Sequence, residues 1–144
     1  MGLFDKLFGA SHDKADETLD ADYIETIINE SEDEPLGVSE RNIIYAGYNE
    51  LGGYYFLQTF IVGEFKIKTK EGAKLLIEGD NYTFDLNCDM PEFASEDATT
   101  FKGHVTKIDF EIEKATVEKI KKSTLKQLTL TTKKKKIVFS VYNS

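Results

Sequence analysis

Between Tyr54 and Cys88 the chain alternates apolar and polar residues, and Gly63, Gly72 and Gly79 cut the pattern into four runs. A period of two sends successive side chains to opposite faces of a strand, and glycine supplies the backbone freedom of tight turns. The stretch therefore predicts an antiparallel β-meander. Residues 54–62 are apolar on both faces, with Tyr54, Phe56, Phe60 and Val62 on one and Tyr55, Leu57 and Ile61 on the other. Such a strand needs cover on both sides. Residues 64–70 place Phe65, Ile67 and Thr69 inward and Glu64, Lys66, Lys68 and Lys70 outward. Residues 74–78 contribute Leu75 and Ile77, and Tyr82, Phe84, Leu86 and Cys88 form the last inward face.

The flanks complete a β-rich pattern. Asp20 or Asp22 caps a predicted helix that runs to about Glu30 with Tyr23 or Ile24, Ile27 and Ile28 on its apolar stripe, and Pro35 forbids its continuation. Ile43, Ile44 and Tyr45 mark a first strand over 41–48, with a glycine turn over 49–53. Residues 90–100 form the longest break, since Pro91 is excluded from a central strand. Ile108, Phe110 and Ile112 define a strand ending at Glu113, followed by a short helix over 115–122 capped by Thr116. A hairpin of residues 125–132 and 136–142 closes the chain, with Leu128 and Leu130 facing Ile137, Phe139 and Val141. The expected fold is α+β and β-dominated, with seven to eight mostly antiparallel strands (meander plus C-terminal hairpin) and two short helices. The two-faced run 54–62 favours a sandwich or a partly closed barrel over an open sheet.

The first twenty residues read differently. Leu3, Phe4, Leu7 and Phe8 would share one side of a two-turn amphipathic helix, and residues 10–20 are polar and aperiodic. Residues 1–20 are thus expected to be an amphipathic arm on an acidic tether, and residues 21–144 a single globular domain. Two turns are not stable alone, so the apolar side of the arm must dock, either on its own domain, in a groove of a protein partner, or on a membrane surface. A single lysine balanced by Asp5 disfavours the membrane. Lys6 stands where an N-myristoylation motif wants Ser or Thr. The opening MGLFDKLFG resembles the start of many bacterial proteins and is too short to carry a fold or an activity.

Composition sharpens this picture at three points. With 144 residues and 40% hydrophobic content the chain can bury a core without metals or disulfides. Cys88 is the single cysteine, which excludes an intramolecular disulfide and fits a reducing compartment; with no signal-like start and no apolar run of membrane-spanning length, the expected localisation is cytoplasmic. The charge is polarised: residues 1–50 carry 13 Asp and Glu against 3 Lys and Arg, whereas residues 101–144 carry 4 against 11. The net −8 argues against nucleic acid as a partner.

Candidate chemistry is sparse. Asp85, Asn87, Asp89 and Glu96 have the spacing of a calcium loop, but Met90 occupies the position of its obligatory glycine and Leu86 and Cys88 interleave. His12 with Asp13 and Asp16 is a weak metal trio in a flexible segment. Cys88 continues an inward face, so it reads as a small buried hydrophobe rather than a thiolate paired with His104. Lys133, Lys134, Lys135 and Lys136 form a basic surface at the hairpin tip, which also keeps a sheet edge soluble. No phosphate loop, nucleophile elbow or zinc motif is present. The chain is therefore expected to be no enzyme, to need no cofactor and no metal, and to act as a protein-interaction module. An inhibitor- or immunity-type partner of a basic protein suits its acidity. The alternative is a carrier of small apolar ligands, with a barrel cavity lined from residues 54–88.

Overall fold

The computed structural model describes residues 23–143. The chain opens with helix α1 (Tyr23–Glu30) and the strands β1 (Gly37–Val38), β2 (Asn42–Leu51) and β3 (Tyr54–Gly63). The central part holds β4 (Lys68–Thr69), β5 (Ala73–Gly79), β6 (Thr83–Asn87), β7 (Phe93–Ala94) and β8 (Glu96–Asp97). It ends with β9 (His104–Ile112), helix α2 (Lys114–Lys119), β10 (Leu125–Thr132) and β11 (Lys136–Val141). Among the described residues no helix is long and apolar enough to cross a membrane.

Nine strands form one antiparallel sheet in the order β6-β5-β10-β11-β1-β2-β3-β9-β8, and β4 pairs with β7 separately. The large sheet curls into a half-barrel whose margins meet at one seam. There Cys88 bridges Phe110, and the Asp89 N–H donates to the Asp109 carbonyl at 2.8 Å. The β-dominated α+β class read from the pattern is the fold.

The two faces of the sheet have separate cores. Inside the curl, Ile44, Ile61, Leu75, Phe110, Leu128 and Phe139 are fully buried against one another. Outside it, Ile43, Tyr45, Val62 and Val105 form a second cluster with Ile27 of α1 and Phe101. Neighbours in sequence such as Ile43 and Ile44, or Ile61 and Val62, thus serve opposite cores, as the period of a strand requires. The C-terminal half of β3 is thus covered on both faces, by the filled half-barrel on one side and α1 on the other, whereas Tyr54 at its start stays exposed on the outer face. The eight-residue α1 could not persist in water alone and is stabilised by this burial.

Local turn chemistry accounts for the hairpins. Gly52 and Gly53, with φ of +63° and +87°, close β2 onto β3. At the C-terminus Leu128 stands opposite Phe139 and Leu130 opposite Ile137, the register expected from the apolar pattern.

Four expectations are corrected. The four runs of residues 54–88 are not one meander: β3 pairs with β2 and β9, whereas β5 lies between β6 and β10, across the sheet. Of residues 64–70 only Lys68–Thr69 is strand, and it pairs with Phe93–Ala94. Alternation reports that one side is buried, and an extended segment packed over the end of the barrel satisfies it as well as a sheet strand does. The break at 90–100 contains β7 and β8. Finally, α2 begins at Lys114 with Glu113 as its N-cap and no side-chain cap; Thr116 lies inside the helix.

Candidate functional site

The strand ends gather a cluster of lysines at one end of the half-barrel. β3, β6 and β10 finish there, and β5, β9 and β11 begin there. A cleft of about 700 Å³ opens at this end, lined by residues 66–71, 92–94 and 133–135. The β4–β7 pair forms one side and the tip of the β10–β11 hairpin the other.

Each side is held by side-chain-to-backbone bonds. Ser95 Oγ accepts the Ile67 N–H at 2.9 Å and lies 2.6 Å from Thr106 Oγ1, while the Ser95 N–H donates to the Ile67 carbonyl at 2.8 Å. This ties the segment bearing Lys66, Lys68 and Lys70 to β9. Gly72, at φ +78°, then turns the chain into β5; a Cβ there would stand 2.8 Å from Cys88 Sγ. On the other side Thr132 closes the lysine turn: its Oγ1 accepts the Lys135 N–H at 3.0 Å and its own N–H donates to the Lys135 carbonyl at 2.8 Å.

Two lysines bridge the sides. Lys133 Nζ pairs with Glu71 Oε2 at 3.1 Å, and Lys135 Nζ donates to the Lys66 carbonyl at 2.7 Å. Among the described residues Lys66, Lys68, Lys70 and Lys134 have no ion-pair partner. Six lysines against Glu71 and Glu92 leave the lining at a formal +4. The floor is partly apolar, with Ile67 and Phe93 half-buried and packed on the inner core. Such a surface attracts carboxylates through exposed ammonium groups and covers apolar side chains on its floor; no histidine or cysteine belongs to its lining.

The entry of the chain is anchored at the same end. The Arg41 guanidinium lies 4.2 Å from the Tyr23 ring centroid, Arg41 Nε donates to Glu64 Oε2 at 2.8 Å, and the Tyr23 hydroxyl donates to the Lys102 carbonyl at 2.9 Å. Burial, reinforced by the Glu64 carboxylate and opposed by Arg41, pushes the Tyr23 hydroxyl up to about 12.

Of the residues singled out from sequence, Lys133, Lys134 and Lys135 line the cleft, while Lys136 starts β11 opposite Thr131. Leu3, Phe4, Leu7, Phe8 and the His12 trio lie outside the described residues. Lys66, Lys68 and Lys70 were the missed members. Their signal was three lysines at every second position inside an otherwise acidic stretch, which reads equally as the solvent face of a strand.

The other candidates are not brought together. Cys88 is half-buried, and its Sγ accepts the Ala73 N–H at 3.3 Å. His104 Nδ1 lies 3.1 Å from Asp97 Oδ1, a close approach without hydrogen-bond alignment. Cys88 bridges Phe110, six residues along β9 from His104 and so about 20 Å away. Asp85 and Asn87 lie on β6, whereas Glu96 pairs with Val105 on the far side of the seam. Among the described residues no three His, Cys, Asp or Glu side chains are grouped to hold a metal ion. At the opposite mouth a cavity of about 220 Å³ is lined by Leu36, Tyr48, Ile120, Leu125 and Leu128, with Leu57 and Ile77 from the 54–88 stretch.

Comparison with protein-family models, with curated proteins and with solved structures finds no match to this chain, so the cleft is interpreted from its own residues.

Proposed function

We propose that this chain is a non-catalytic protein-interaction module that holds a carboxylate-bearing, partly apolar protein segment in the lysine-rimmed cleft. One observation carries the reading: loops distant in sequence place six lysines around an apolar floor, four of them without an ion-pair partner among the described residues. Complementary charge speeds encounter and sets orientation, while the floor supplies apolar contact area. An acidic polypeptide fits this surface better than nucleic acid does. Phe93 is the only aromatic residue of the lining, arginine is absent from it, and the net −8 of the chain repels a polyanion at long range.

Complementarity to a basic protein, the inhibitor- or immunity-type reading, draws on a different surface. Glu25, Glu30, Glu32 and Asp33 are exposed on and just after α1. The carrier reading has less support. The inner core is filled with side chains, and the cavity of about 220 Å³ is below the ~300–1,000 Å³ usual for small-molecule sites.

The test uses the full chain as bait at low and at high salt, beside a Lys66→Glu/Lys68→Glu/Lys134→Glu variant. A protein partner retained by the unaltered chain at low salt, and lost both in the variant and at high salt, is the expected result. A partner retained equally by the variant would remove the cleft from the reading, and failure to retain any stable partner would remove the reading itself.

A further inference from the structure

We infer that the resident occupant of the cleft is the chain's own N-terminal segment, residues 1–22, bound in cis. This rests on the cleft being a binding surface and adds what covers it in the absence of a partner.

Three observations converge. The first is charge. Residues 1–22 carry six Asp and Glu against two Lys, a formal −4 that matches the +4 of the lining. The second is apolar content. Leu3, Phe4, Leu7 and Phe8 need a surface to cover, and Ile67 and Phe93 offer a half-buried floor inside the lysine rim. The acidic residues Asp13, Asp16, Glu17, Asp20 and Asp22 follow that apolar group, so an arm seated on the floor draws carboxylates past the rim. The third is placement. The described chain begins at Tyr23, whose ring is covered by Arg41, and Arg41 pairs with Glu64, two residues from Lys66. The segment therefore joins the fold at the cleft end of the half-barrel. Fourteen residues separate Phe8 from Tyr23 and span up to ~50 Å when extended, ample to reach across that end.

The opposite mouth is the competing seat, and it fits less well. It lies the length of β3 away, ten residues or about 33 Å, and its lining holds one lysine and no cluster of positive charge to receive the tether. Tethering makes the arm a strong competitor at its own cleft, with an effective concentration in the ~mM range. An acidic partner segment must then displace it, so the arm sets a threshold for binding.

Hydrogen exchange of the full chain, read by mass spectrometry, tests this. The unaltered protein is compared with a Phe4→Glu/Phe8→Glu variant and a Lys68→Glu/Lys134→Glu variant. The first substitution should speed exchange about tenfold at residues 66–71 and 92–94, and the second should do the same at residues 2–8, with β3 and β10 unchanged in both. Protection should not depend on protein concentration between 1 and 100 µM, on the order of magnitude that separates tethered from free binding. Protection lost on dilution would assign the cleft to a second copy and overturn the cis contact. Unchanged exchange in both variants would overturn it as well. If the glutamate substitutions disturb β3 or β10, Asp13→Asn/Asp16→Asn/Glu17→Gln decides, since it weakens only the charge match. A partner still captured through the lysines while the arm proves undocked would leave the interaction-module reading standing and remove this inference alone.

Discussion

Tyr23 joins α1 to the end of the barrel through one ring and one hydroxyl, and its titration reports that junction. Its hydroxyl is raised from the ordinary 10.0 to about 12, chiefly by burial. Between those values the folded chain holds a proton that the unfolded chain has released, so stability falls as pH rises from about 10 to about 12. Tyr45 and Tyr48 are raised too, each chiefly by burial, and add to the same alkaline loss. Tyr23→Phe should make this alkaline limb shallower. It should also lower neutral stability by about 0.5–1.5 kcal/mol, because the bond to the Lys102 carbonyl is lost. Thermal melts at intervals between pH 8 and pH 12 check both statements, and an unchanged alkaline limb would refute the assignment. None of this was legible beforehand. Tyr23 could be placed on a predicted helix from its neighbours, but Arg41, Glu64 and Lys102 meet it only through folding.

At the scale of elements, burial rather than propensity decides what persists. α1 carries Ile27 at 2% exposure against the outer core, whereas α2 has no side-chain cap and no buried residue. Ile27→Ala should cost about 2–4 kcal/mol, a large part of the ~5–15 kcal/mol of a typical domain. Urea unfolding followed by circular dichroism measures it, and a loss under 1 kcal/mol would show that α1 is not needed to cover β3. That cover was foreseeable, because the two-faced apolar run required it. The failure of the meander was not. Phe65 and Ile67 alternate as a strand would, yet they lie over the barrel end, with the Phe65 N–H donating at 2.8 Å to the side-chain Oδ1 of Asn42 instead of to the backbone carbonyl of a neighbouring strand.

For the molecule as a whole, the seam at residues 88–89 and 109–110 determines how far the sheet closes. It consists of the Cys88–Phe110 bridge and the bond from the Asp89 N–H to the Asp109 carbonyl. Asp89→Pro removes that donor and should cost about 1–3 kcal/mol. Amide exchange should then rise along β6, which among the described residues has β5 as its only strand partner, and should change little along β2 and β3. Equal acceleration of all strands would mean that the sheet opens as one unit and that the seam has no separate role. Charge is also organised at this scale. The molecule is acidic in sum, yet its cleft is basic, because β4, β7 and the β10–β11 tip converge from three parts of the chain.

What the sequence alone determined follows from local rules. Alternation marked Ile108, Phe110 and Ile112, or Leu128, Leu130 and Phe139, as inward residues of strands. Gly52-Gly53, Gly72 and Gly79 marked turns, and the two-faced run at 54–62 marked a central strand. These inferences use neighbours two or three residues apart. The tertiary structure decided the rest: which strand lies beside which, that residues 64–70 leave the sheet, and that Lys66, Lys68 and Lys70 stand across a cleft from Lys133, Lys134 and Lys135. Backbone ladders carry no side-chain code for their partners, so strand order comes from filling two cores at once. A site assembled from loops some sixty residues apart exists only after that order is set.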